Sequence, residues 1–218
     1  MGTVVDLLPS LGLRITAGPT ELRGLTDDDL PVLCALAEEG IHPADQMPFY
    51  FPWSQAPRGE LARNTAQFHW RARATFSPRA WSLHLGVWHE GELVGSQGFD
   101  TTNYLVTRTG ETGSWLGQRF QGRGIGTVMR QVICAFVFDH LEGVEVTSAA
   151  FVDNPASLAV SRKVGYRENG MMRRQRREGE LALLQGLVLR PDDLVRCEYP
   201  LEVHGLEPFQ RSIGLEPR

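Results

Sequence analysis

Gln121-Gly122-Arg123-Gly124-Ile125-Gly126 is the stretch on which the reading of this chain turns. A short strand-like run over 111–117 precedes it, and an apolar helix from about 127 to 141 follows. Glycines in such a strand-to-helix turn let the backbone bend tightly and approach a ligand closely. The first N–H groups of the helix have no partner inside it, and the helix dipole adds partial positive charge there. Together these features make a seat for phosphate oxygens, with Arg123 a mobile cation at its rim. A plain turn is the alternative for three glycines in six residues. A Walker loop is excluded because no Lys separates Gly126 from Thr127. A dinucleotide fingerprint is excluded by the glycine spacing and by the hairpin character of what precedes it.

Outward from the loop, the pattern alternates strands and helices. Residues 11–15 read as a strand, and Leu30, Leu33, Cys34 and Ala37 repeat at helical spacing with Gly40 as a stop. Four prolines between His42 and Pro57 exclude regular structure, although Phe49, Tyr50, Phe51 and Trp53 sit among them. Residues 60–74 suit a second helix, and 81–100 a β-hairpin turning at Glu90-Gly91. A strand over 144–151 leads to a small helix capped by Asn154, opened by Pro155 and closed by Gly165. Residues 180–190 read as a last strand; the tail over 191–218 shows no periodicity. No repeat or linker divides the chain, so a single domain is expected over 1–218, with a core of about 11–190 and a C-terminal extension.

Gln121-x-x-Gly124-x-Gly126 resembles the pyrophosphate loop of the GNAT acetyltransferases. Asn154-Pro155-Ala156-Ser157, running on to Gly165-Tyr166, looks like that family's Asn-x-x-Ala/Ser helix with its Gly-Phe/Tyr end. Gly113-Ser114-Trp115-Leu116-Gly117 looks like the strand that leads into the loop. The Trp-Leu pair and Ser157 resemble most the Rim-type branch, the ribosomal-protein N-terminal acetyltransferases. The resemblance implies an α/β fold, a twisted mixed central sheet with helices on both faces. It also implies acetyl-CoA as cosubstrate and direct transfer to a primary amine, on a small molecule or a protein N-terminus.

By the same resemblance, backbone amides of Trp115, Leu116 and Gly117 hold the pantetheine arm and acetyl carbonyl. Gln121, Gly122, Arg123, Gly124, Ile125 and Gly126 form the diphosphate seat, and Asn154 bonds the cofactor arm. Fixed donors of this kind meet the charge that develops on a thioester oxygen under attack. An ammonium acceptor must first lose a proton. Glu111 is the candidate base, against the alternative of a solvated strand-edge carboxylate, and Glu145 is a weaker choice. The family's usual Tyr acid is absent, since Ser161 stands there; Ser157 is the candidate to meet the sulfur, or else a capping hydroxyl. Tyr166 reads as core. Phe49, Tyr50 and Trp53 are candidates for the acceptor wall, or else loop anchors, and Arg173, Arg174, Arg176 and Arg177 read as a solvated hairpin turn.

Composition bounds the partners. The 218 residues are 42% hydrophobic with a formal net charge of −4, so nothing suggests nucleic acid. Three scattered cysteines and dispersed histidines suggest neither a disulfide framework nor a metal site. No signal segment or membrane span is visible, and a reducing cytoplasm is the expected compartment. A homodimer through the tail is a possible assembly. Two alternatives stay open: a non-catalytic acyl-CoA sensor on the same fold, and an enzyme using another acyl group.

Overall fold

The computed structural model describes residues 2–57 and 59–217. In chain order it contains α1 (Val4–Leu7), β1 (Arg14–Ala17), β2 (Thr20–Gly24), α2 (Leu30–Glu39), α3 (Glu60–Ala74), β3 (Ala80–His89) and β4 (Glu92–Thr102). There follow α4 (Tyr104–Thr107), β5 (Thr109–Leu116), α5 (Ile125–His140), β6 (Glu145–Phe151), α6 (Pro155–Val164), β7 (Arg167–Arg177), β8 (Glu180–Leu189), β9 (Glu202–His204) and α7 (Leu206–Ser212). The strands form one sheet in the order β7-β8-β6-β5-β4-β3-β2-β1-β9. Every pairing is antiparallel except that of β5 with β6.

Strand alternation sorts the two faces. On β3, Leu83, Leu85 and Val87 enter the core built with Val132, Ile133 and Phe136 of α5. His84, one residue out of phase, meets Phe68 and His69 of α3 on the opposite side. Helix α5 therefore covers one face, and α2 and α3 the other. A mixed sheet with helices on both faces is the expected architecture.

The small helix α6 is punctuated as its sequence indicates. The Asn154 side chain accepts from the Ser157 amide at 3.1 Å, Pro155 opens the helix, and Gly165 ends it at φ 104°. A side chain at Gly165 would run into the Asp193 carbonyl oxygen. Tyr166 is buried, its hydroxyl 2.9 Å from Thr112 Oγ1 and 3.3 Å from Cys134 Sγ.

Three parts differ from the sequence reading. The Arg173–Arg177 run lies not in a turn but on β7, an edge strand held by pairing with β8. Arg176 lies over the Phe151 ring at 4.1 Å and donates to Asp153 at 2.7 Å. Strand β2 was not anticipated, and the aperiodic tail contributes β9, paired with β1, and α7. Phe209, Ile213 and Leu215 join the main core, so these residues complete the domain. Among the described residues no helix is long and apolar enough to cross a membrane. None of their His, Cys, Asp and Glu side chains group to hold a metal ion.

Candidate active site

Strands β5 and β6 run parallel only from Thr109 with Glu145 to Glu111 with Thr147, and β5 stays paired to β4 as far as Leu116. β6 meanwhile follows β8 to Phe151. The two neighbours part beyond Glu111 and leave an opening in the middle of the sheet. The Gly117 amide donates to Val94 on the β4 side at 2.9 Å. Alternation then turns the amides of Leu116 and Ser114 toward the opening. Of the expected trio, Leu116 turns its amide to the opening, while Trp115 and Gly117 present theirs to β4. Ser114, not singled out from the sequence, replaces them. Trp115 anchors the strand by its ring, which packs against Trp53 at 5.9 Å.

The glycine loop leads from this opening into α5. Gly122 and Gly124 stand at φ 76° and 84°, and a Cβ at either would meet nothing within 4 Å. Their surroundings are open space, and the left-handed backbone alone selects glycine there. Among the described residues the amides of 122–126 donate no hydrogen bond; the first α5 bonds come from Thr127 and Val128 to Gly124. Arg123 is exposed beside them, with no ion pair among the described residues. A Cβ at Gly126 would instead point inward, 3.7 Å from the Leu116 and Val160 side chains.

Gln121 plays a different part from the one expected. Its Nε2 donates to the carbonyls of Ile41 (2.6 Å) and Leu116 (2.9 Å), and its amide donates to Gln118. It is the brace that ties the loop to the end of α2 and to β5, not a donor at the mouth. Ile125 is buried and offers only its backbone. Asn154 and Ser157 stand at the start of α6, where the Asn154 oxygen is committed to the cap. Ser161 is fully buried and donates to the Ser157 carbonyl at 3.0 Å, so no acid projects from that turn.

On the α3 face, Glu111 opens into a cleft of about 540 Å³ that also exposes Asp100, Glu145 and Thr147. Glu111 stands directly across from Asp100 in the β4–β5 register. Burial, then the Asp100 charge, pushes the Glu111 carboxyl above its ordinary value, while the Tyr50 hydroxyl pulls it back. Burial works against ionisation of Asp100 too, but His84, 3.3 Å away, outweighs it and holds Asp100 below the usual carboxylate range. Glu145 lies 3.8 Å from Arg190 in an ion pair.

The Pro-rich loop divides its aromatics. Tyr50 lies beside Glu111, with its ring edge-on to Phe151 at 5.9 Å and its hydroxyl toward the carboxyl group; burial, then the Glu111 charge, raises its pKa. Phe49 and Trp53, 5.1 Å apart, pack instead on Ala37, Ile41 and Leu61 as anchors. Of the three candidates for the acceptor wall, only Tyr50 faces Glu111.

Comparison with known proteins identifies the family and the fold. A family model described as acetyltransferase (GNAT) domain matches residues 20–167. A Bacillus subtilis (strain 168) protein, provisionally named ribosomal N-acetyltransferase YdaF, is 31% identical over 91 residues, 42% of this chain. The match spans 49%, about half, of that relative. Among solved structures, Mycobacterium smegmatis RimJ in complex with CoA-disulfide superposes with a TM-score of 0.67 at 18% identity, covering 95% of each chain. RimL, a ribosomal L7/L12 alpha-N-protein acetyltransferase solved with coenzyme A, gives 0.65 at 18% identity over 80% of this chain and 96% of its own. Spermidine N-acetyltransferase from Vibrio cholerae, solved with CoA and spermine, gives 0.63 at 15% over 81% and 98%. At these identities the structural likeness speaks for the fold.

Proposed function

Because the chain belongs to the GNAT acetyltransferase family, whose cosubstrate is acetyl-CoA, we propose that it moves an acetyl group from acetyl-CoA directly to a primary amine. The observation that carries this reading is the run of unbonded amides over 122–126, set beside the parting of β5 and β6. Those amides, at the positive end of α5, and the free Arg123 suit a diphosphate. The Leu116 and Ser114 amides, facing the opening, suit the thioester carbonyl, whose oxygen gains charge under attack. Glu111 receives the ammonium proton: its raised proton affinity brings it closer to the working pH of a base. The Tyr50 hydroxyl hydrogen-bonds it.

The acceptor is a protein N-terminus or a small amine, the two kinds named for the relatives of this fold. The likeness to RimJ, RimL and the Bacillus protein favours the N-terminus. The test is release of coenzyme A thiol from acetyl-CoA against N-terminal peptides and polyamines, with Glu111→Gln as the control. Turnover that Glu111→Gln reduces at least about a hundredfold, within the range of general-base catalysis, supports the reading. Binding of acetyl-CoA without turnover across the whole panel returns the protein to the non-catalytic sensors.

A further inference from the structure

Arg130 is a cation in an unlikely place. It lies on α5, only 5% exposed, beneath the point where β5 and β6 part. Its Nη2 donates to Ser114 Oγ on β5 at 2.8 Å, and its Nη1 to Ser148 Oγ on β6 at 3.1 Å. These residues stand just past the last paired positions, Glu111 and Thr147. Ser148 Oγ in turn donates to the Thr112 carbonyl at 3.0 Å. The Arg130 Nε has no partner, and among the described residues no carboxylate pairs with the guanidinium. The titratable groups around it are the neutral thiol of Cys134 and the phenol of Tyr166, both buried. A buried charge facing only hydroxyls is costly, and an apolar side chain of similar size would fill the space more cheaply. A negative charge arriving in the opening would resolve that cost.

We propose that Arg130 assists the transfer reaction from a fixed position: Ser114 and Ser148 hold it between β5 and β6, and its charge stabilises the coenzyme A thiolate released between them. The inference rests on entry of the thioester into that opening. In the step concerned, the amine lone pair forms the C–N bond and the C–S bond breaks with its electron pair on sulfur. One ammonium proton goes to Glu111 before attack, the second leaves nitrogen for solvent as the C–N bond forms, and the thiolate takes its proton from solvent after departure. No side-chain acid is needed, which fits the burial of Ser161. A fixed cation within several ångströms, in an effective dielectric near 20, lowers a thiol pKa by at least about one unit.

Binding of coenzyme A and of desulfo-coenzyme A, measured by calorimetry from about pH 6.5 to about pH 10 across the ordinary thiol range, tests this without any acceptor. In the native protein, coenzyme A affinity rises with pH at least about tenfold more than that of the desulfo compound. Arg130→Met removes the excess rise and leaves desulfo-coenzyme A binding in place, while Arg130→Lys retains part of it. Parallel pH profiles for the two ligands in the native protein overturn the proposal, and so does an undiminished rise in Arg130→Met. Equal weakening of both ligands by Arg130→Met and Arg130→Lys reduces Arg130 to a structural prop and refutes the electrostatic role. If the native protein binds neither ligand, the cosubstrate reading falls first and this inference with it.

Discussion

Adding a single methyl group at Gly124 separates backbone conformation from steric bulk. Gly124 caps α5 at φ 84°, and a Cβ there meets nothing within 4 Å, so Gly124→Ala clashes with no neighbour. What it adds is left-handed strain, about 1–2 kcal/mol for a residue with a side chain. In a chain of this size each kcal/mol moves the melting temperature roughly 2–4 °C, so the free protein loses roughly 2–8 °C. Acetyl-CoA at a hundred times its dissociation constant stabilises the native protein by about 2.7 kcal/mol, a rise of roughly 5–10 °C. A loop that relaxes out of the left-handed region turns its amides away, and the ligand-induced rise in Gly124→Ala falls to half or less. Gly126→Ala is the control. Its methyl meets Leu116 and Val160 at an ordinary 3.7 Å, its φ is not positive, and alanine favours the helix, so both melting temperature and ligand response are retained or improved. Differential scanning fluorimetry with and without acetyl-CoA reads all three proteins. A Gly124→Ala variant with the native ligand-induced rise refutes the argument, because the amides of the loop would then not be the grip.

Further outcomes follow from the cleft and the core. Asp100→Asn removes a negative charge facing Glu111; with Glu111 as the proposed base, acting when deprotonated, the acid limb of the kcat/KM profile moves to lower pH. Tyr50→Phe removes a contact that lowers the Glu111 pKa and moves the same limb upward; shifts of the same sign in both variants disprove the assignment of that limb to Glu111. His69 is buried, and burial, then the charges of His84 and Arg73, pushes its pKa down to about 3. Below pH 6.5 the unfolded chain therefore takes up a proton that the native state refuses. His69 alone lowers stability by about 2 kcal/mol between pH 6.5 and 5, and urea melts of His69→Gln show a flatter acid side. Phe209 is fully buried, and Phe209→Ala costs about 3–5 kcal/mol by chemical denaturation; a cost under about 1 kcal/mol would mean that α7 does not belong to the core.

The parts of the fold that are legible in the sequence are those with a local cause. Asn154, Pro155 and Gly165 punctuate α6 because cap, fixed φ and left-handed stop are properties of single residues. The glycine loop is legible for the same reason. Strand β7 is not, because it is exposed along most of its length and exists through pairing with β8, leaving no alternation to read. β9 is three residues long and is specified by β1, far away in sequence. At the site, residue type indicates Glu111 and the loop glycines. Which amides of β5 face the opening depends on the Gly117–Val94 bond, a tertiary fact that exchanges Trp115 and Gly117 for Ser114. The inward turn of Gln121 and the packing of Phe49 and Trp53 likewise arise from contacts with α2 and α3.

The pairing of β9 with β1 has a consequence for how the molecule comes into being. Ile15 meets Val203 across the sheet, so one border of the structure waits for a segment far along the sequence to be synthesised. A nascent polypeptide leaving the ribosome carries β1 with its outer edge bare, and Leu13 and Ile15 without Phe209, Ile213 and Leu215 beside them. Such an edge is a template for foreign strands, and long-range closure is slow. Translation stalled before Glu202 is therefore expected to yield a product that aggregates or is degraded, however complete its glycine loop.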